Sequence, residues 1–200
     1  HNVSTIYNGI AVPDASNLMD MPELRRYKKV VLSIARVMPQ KLPKLFIDVA
    51  RLLPDNGFVW IGNLEEVTEY GTLPENCHFV GNIPNAGAYC SQANLFMLAS
   101  NYEGLPMVII EAMSQGLPVV ASDVGGVSEI VRNGENGYVL ENDAQMFARR
   151  ISEILEDEHK CKTFGDRSLQ IFREELTVER MVEGYMKIYE RVASQNGKRR

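Results

Sequence analysis

Two rhythms of apolar residues alternate along the chain. Short apolar runs at 29–35, 58–61, 78–80, 95–98, 118–121 and 138–140 read as buried strands. Between them the spacing shifts to the helical period. After Pro39, the residues Leu42, Leu45, Phe46, Val49 and Leu53 share one face, and in 106–115 Val108, Ile109, Ala112 and Met113 cover most directions of a helix. Strands alternating with helices predict an α/β fold, a doubly wound parallel sheet of about six strands with helices on both faces. Parallel neighbours need a crossover, and the crossover helices cover both sides.

From 142 onward the pattern is helical throughout. Asp143 is placed to cap a helix carrying Phe147, Ile151, Ile154 and Leu155, and Thr177 to cap a final one over 177–193. On this final helix Val178, Met181, Val182, Tyr185, Ile188, Tyr189 and Val192 form one stripe. It has to be buried on this domain or on a part of the protein outside this sequence. Residues 1–25, with Pro13, Asp14, Asn17 and Pro22, read as an irregular lead-in or linker. The chain begins His1-Asn2-Val3 with no signal pattern, so a single domain over 1–200 belonging to a longer protein is expected.

Composition removes several function classes. With 45% apolar residues in 200, a proper core is expected and disorder is not. The 21 basic and 26 acidic residues give a net charge of -5, and Lys198-Arg199-Arg200 is only a short tail, so no nucleic-acid partner is expected. The longest apolar runs, 105–110 and 95–99, fall short of the roughly 18–20 residues of a membrane span. Cys77, Cys90 and Cys161 show no C-x-x-C spacing, which points to a reducing cytoplasm with neither a disulfide framework nor structural zinc. None of the histidines suggests catalysis: His1 is terminal, His159 lies among charges and His78 belongs to a strand.

In open α/β sheets ligands bind beyond the carboxyl ends of the strands, and there the sequence collects small, polar and charged residues. They are Arg36 and Lys41 after the first strand, Gly62-Asn63 after the second, Gly81-Asn82-Ile83 after the third, Ser100 to Pro106 after the fourth, and Ser122-Asp123 with Gly125-Gly126 after the fifth. Pro106 is expected in the first turn of the following helix, whose free amides can hold an anion. Glu111, Ser114 and Gln115 form that helix's narrow polar face, so Glu111 is either solvated or aimed into a cleft. Glu103, before a helix N-terminus, is favoured there by the helix dipole without any function. Arg36 and Lys41 are each compatible with simple solvation, but facing a helix N-terminus they would make a positive edge suited to a diphosphate. No G-x-S-x-G, H-E-x-x-H, Walker A or clean G-x-G-x-x-G occurs, which weighs against hydrolase, zinc protease, ATPase and simple dinucleotide oxidoreductase readings.

The run from Tyr102-Glu103-Gly104-Leu105-Pro106 through Glu111-Ala112-Met113, continuing Gly116-Leu117-Pro118 to Gly125-Gly126, strongly resembles the donor-binding lobe of GT-B glycosyltransferases of family 4, a Rossmann-like domain. The likeness includes the paired glutamates Glu103 and Glu111, the later Glu129 with 133–138, the lead-in Ile6-Tyr7-Asn8-Gly9-Ile10, and the basic pair Arg36 and Lys41. It covers nearly the whole chain. It departs at Ala35-Arg36, where Gly-Arg is common, at Leu42-Pro43, where Gly usually follows the lysine, and at the reduced turn Gly62-Asn63-Leu64 with its acidic continuation.

The resemblance implies a retaining, metal-independent transfer of a sugar from a UDP- or GDP-linked donor to an acceptor hydroxyl, in cell-surface polysaccharide or glycolipid synthesis. No cofactor and no metal site are implied. Arg36 and Lys41 would hold the diphosphate. Glu103, with the backbone of Gly104, Leu105, Pro106 and Met107, would meet the donor sugar and phosphate, Glu111 the ribose, and Ile83 the base. An acceptor sugar or lipid-linked sugar would be bound through an N-terminal lobe absent from this sequence. The final helix would face that lobe, leaving apolar surface exposed around Tyr185 and Tyr189. The chain alone would bind donor without turnover, and the full enzyme would be cytoplasmic, with peripheral association at the inner membrane face left open. The rivals are a nucleotide-sugar epimerase lobe, a dinucleotide-binding oxidoreductase domain and a non-catalytic interaction domain.

Overall fold

The computed structural model describes residues 3–65 and 67–197; His1, Glu66 of the acidic stretch and the basic 198–200 tail lie outside the described residues. Six parallel strands, β1 (Val30–Ile34), β2 (Gly57–Ile61), β3 (Cys77–Phe79), β4 (Leu95–Leu98), β5 (Val119–Ser122) and β6 (Gly137–Leu140), form one sheet in the order β3-β2-β1-β4-β5-β6. The order reverses between β1 and β4, and a doubly wound sheet opens a crevice at that point.

The strands are buried on both faces, which is why they appear in the sequence as near-continuous apolar runs. One face, with Leu32, Ile34, Val59, Phe96, Leu98, Val119 and Ala121, packs against α3 (Met107–Ser114) and α6 (Glu158–Glu175) through Ile109, Met113, Ile171 and Phe172. The other, with Val31, Phe58, Trp60, Leu95, Met97 and Val120, packs against α2 (Pro43–Leu52) and α5 (Ala144–Glu156) through Phe46, Ile47, Phe147, Ile151 and Ile154.

Three expectations change at element ends. The helix expected after Pro39 is interrupted: a 3-10 turn covers Pro39–Lys41, Leu42 turns left-handed at φ 48°, and α2 starts at Pro43. A proline disfavours helical conformation in the residue before it, so Leu42 leaves the helix and Lys41 sits on a turn at the sheet edge. Pro106 lies outside its helix as the extended N-cap residue, with Met107 the first helical position. The lead-in is irregular only to Met21, since α1 spans Pro22–Arg25, and it is docked rather than free. Ile10 bridges to Thr177, and Gln115 Nε2 donates to the Pro13 carbonyl at 3.0 Å.

The caps are as expected. Asp143 accepts from the Met146 amide and Thr177 Oγ1 from the Arg180 amide, while Asp157, not anticipated, caps α6 and divides it from α5. On α7 (Val178–Gly197), Tyr185 and Tyr189 are 45% and 62% exposed, with Val182, Met186 and Val192 beside them, so the apolar surface expected there is present. Among the described residues no helix is long and apolar enough to cross a membrane.

Candidate functional site

The loop after β4 is held by a polar network rooted in the core. The Ser100 amide donates to Ser122 Oγ at 2.8 Å, Asn142 Nδ2 donates to the Ser100 carbonyl at 3.1 Å, and Ser100 Oγ reaches the carbonyls of Gln40 and Tyr102. Gln40 returns two bonds: its carbonyl accepts from the Asn101 amide at 2.8 Å, and its Nε2 donates to the Tyr102 carbonyl at 2.9 Å. The turn after β1 and the loop after β4 are thereby locked together.

That locking brings Lys41 onto Glu103. The ammonium lies 2.5 Å from Glu103 Oε1, and the two side chains keep only 17% and 9% exposure. A nearly desolvated ion pair of this kind is held in place by the groups around it. Both residues were expected on the ligand; the structure pairs them with each other.

Glu103 leads directly into α3. The amides of Met107 and Val108, in its first turn, have no acceptor within the helix, and nothing stands within 4 Å of where a Gly104 side chain would project. The Gly104 carbonyl accepts from the Gly126 amide at 2.8 Å. Gly125 adopts φ 55°, and a Cβ there would stand 1.8 Å from the Glu103 carbonyl oxygen, so only glycine allows this crossing of loops.

Glu111 is not part of a solvated helix face. Ser114 is buried and Gln115 is tied to the lead-in, and the Glu111 carboxylate lies half-buried against the 3-10 helix Ala86–Gln92. A Cβ at Gly87 would come within 2.6 Å of Glu111 Oε2, so this glycine makes room for the carboxylate. Burial raises the Glu111 carboxyl above its ordinary 4.5.

Arg36 is exposed after β1, beside the Val37 amide that donates to Asn63 Oδ1 at 2.7 Å; among the described residues it has no ion-pair partner. Gly62 explains the tight turn here, since a Cβ would fall 1.9 Å from the Ala35 carbonyl oxygen. Ile83 lines a different cleft from Glu103, one of about 550 Å³ shared with Met21, His78, Val80 and Tyr89.

A second cleft, of about 460 Å³, joins Glu103, Gly104 and Leu105 to Tyr7, Asn8, Gly125, Gly126 and Glu129. Tyr7, Asn8 and Glu129 belong to the likeness noted above but carried no assigned role. Gly125-Gly126 at a strand end was the available signal for a close approach, but the docking of the lead-in follows from no local pattern.

A family model described as glycosyl transferases group 1 matches residues 17–170. The chain belongs to that family. Among curated relatives of this group 1 chain, the Escherichia coli UDP-Gal:alpha-D-GlcNAc-diphosphoundecaprenol alpha-1,3-galactosyltransferase is 31% identical over 78% of this chain and 46% of its own length. The Bacillus anthracis N-acetyl-alpha-D-glucosaminyl L-malate synthase is 26% identical over 86% and 44%. The chain thus spans about half the length of these relatives. Solved structures agree in fold: Anabaena HepE in complex with UDP-glucose superposes with a TM-score of 0.77 at 24% identity, over 94% of this chain and 57% of that one. A Rickettsia africae glycosyltransferase reaches 0.79 at 18% identity, over 94% and 56%.

Proposed function

We propose that this chain is the donor-binding lobe of an enzyme that moves a sugar from a nucleotide-sugar to an acceptor hydroxyl, with retention and without a catalytic metal. The observation that carries the reading is the Lys41–Glu103 pair at the mouth of α3, with Glu111 farther along the same helix. Arg36, Lys41 and the free amides of α3 hold the diphosphate, and fixed positive groups there stabilise the charge that grows as the glycosidic bond breaks. Glu103 meets the sugar, and Glu111, a two-oxygen acceptor, takes the vicinal ribose hydroxyls.

Family membership favours this over a dinucleotide oxidoreductase, for which the strand order alone would also serve. The names of the relatives, which include a UDP-galactose transfer to a diphosphoundecaprenol-linked sugar, support a UDP-linked donor over a GDP-linked one and a sugar or lipid-linked sugar acceptor. That acceptor is held by a second lobe, and its lipid would keep the enzyme at the inner face of the membrane. Titration of the labelled chain with UDP, followed by amide NMR shifts, tests the placement. The expected shifts centre on Arg36, Lys41, 103–108 and Glu111; shifts confined to the cleft around Met21 and His78 would overturn it.

A further inference from the structure

The cleft beside Glu103 has a second wall built from the lead-in. Ile10 donates its amide to the Leu176 carbonyl at 3.0 Å, and the Gly9 amide lies 3.4 Å from Met181 Sδ. A Cβ on Gly9 would stand 2.1 Å from the Thr177 carbonyl oxygen, so the segment is pressed against the start of α7. The residues just before it, Tyr7 and Asn8, are thereby held on the sheet edge opposite Glu103 and Gly104. Asn8 is exposed, its Nδ2 3.8 Å from Met107 Sδ. Tyr7 and Glu129 line the cleft together, and the nearby Glu129 carboxylate raises the Tyr7 phenol above its ordinary 10.0. Glu129, on the short helix α4 (Val127–Ile130), is exposed to the cleft, with Oε1 3.6 Å from the position of a Gly126 Cβ.

The chemistry of this wall differs from that of the phosphate side. Asn8 offers a donor and an acceptor, Tyr7 a phenol, and Glu129 a carboxylate. Arg132, whose charge reaches Tyr7, is engaged by Glu175 at 2.6 Å, and Lys41 is engaged by Glu103. Among the described residues Glu129 is therefore the carboxylate of this cleft that has no cation paired with it, Glu103 being neutralised by Lys41, and the remaining polar groups are neutral. Such a set accepts and donates to hydroxyls and repels an anion.

We propose that Tyr7, Asn8 and Glu129 form the specificity wall for the transferred sugar, reading the hydroxyls of a neutral hexose and rejecting a sugar that carries a carboxylate. The inference rests on the donor-site reading above. Calorimetric titration of the chain with UDP, UDP-glucose and UDP-glucuronate separates the two. The chain is expected to bind UDP-glucose about tenfold or more tighter than UDP-glucuronate. Glu129→Gln narrows that ratio to about threefold, and Tyr7→Phe weakens UDP-glucose about three- to tenfold, while both leave UDP itself unchanged within about twofold.

Equal affinity of the unaltered chain for the two sugars, or a ratio that Glu129→Gln does not move, overturns the inference with the donor site intact. Substitutions that weaken UDP as much as UDP-glucose assign the wall a structural role and overturn it too. Failure of UDP to bind removes the donor-site reading and the inference together.

Discussion

Replacing Glu103 with glutamine should tighten nucleoside diphosphate binding, although Glu103 belongs to the site. The Lys41 ammonium lies 2.5 Å from Glu103 Oε1, with 17% and 9% of the two side chains exposed. At an effective dielectric near 20, unit charges about 4 Å apart attract by about 4 kcal/mol before desolvation is counted. A diphosphate that recruits Lys41 gives up part of that attraction and leaves an almost buried carboxylate without its cation, at a site where that carboxylate also repels the phosphate. Removing the competing charge should leave a net gain of about 1–2 kcal/mol, a factor of about 5–30 in affinity. Calorimetry with UDP at neutral pH reads this directly. Lys41→Met does the reverse, stranding Glu103 and costing about 3 kcal/mol of folding stability by urea denaturation, most of which the double variant with Glu103→Gln restores. Unchanged or weaker UDP binding by Glu103→Gln would mean that the pair does not compete with the ligand.

Two more expectations concern Glu111. Burial raises its carboxyl above 4.5, so the folded chain binds more protons than the unfolded one between 4.5 and the raised value. Stability contributed at this position is therefore lost as pH rises through that window: urea denaturation should show Glu111→Gln gaining on the unaltered chain as pH climbs from about 4 to about 7, and UDP affinity should fall on acidification as the ribose acceptor is protonated. A stability difference independent of pH contradicts this. Gly87→Ala places a methyl 2.6 Å from Glu111 Oε2, and the flexible carboxylate has to swing away. UDP affinity is expected to drop about tenfold while folding stability changes by less than about 1 kcal/mol, as calorimetry and thermal melting would show.

The sheet was legible because strands buried on both faces leave unbroken apolar runs, as 95–98 did, and because a capped amphipathic helix such as that after Asp143 carries its signal locally. The proline effect at Leu42 shifted an element end by a few residues and was legible in principle from the dipeptide Leu42-Pro43. Which residues gather at the site was less so. Lys41 meets Glu103 only because Gln40 and Ser100 tie two loops together across 60 positions of sequence, and no periodicity announces such a bond. Glu111 lay open between two readings because a helical wheel cannot show that Gly87, from a 3-10 helix elsewhere in the chain, lines its polar face. Ile83, expected at the base from the resemblance, lines the cleft of Met21 and Tyr89 rather than the one that holds Glu103.

The carboxyl edge of this sheet is expected to hold a nucleoside diphosphate through Arg36, Lys41, the start of α3 and Glu111. Calorimetric titration with UDP, GDP, ADP and NAD, repeated on Arg36→Ala and Glu111→Ala, tests it most directly. Saturable binding of a nucleoside diphosphate, UDP foremost, is expected, weakened by both substitutions and without binding of NAD. Preference for NAD, or nucleoside diphosphate binding untouched by either substitution, would contradict it.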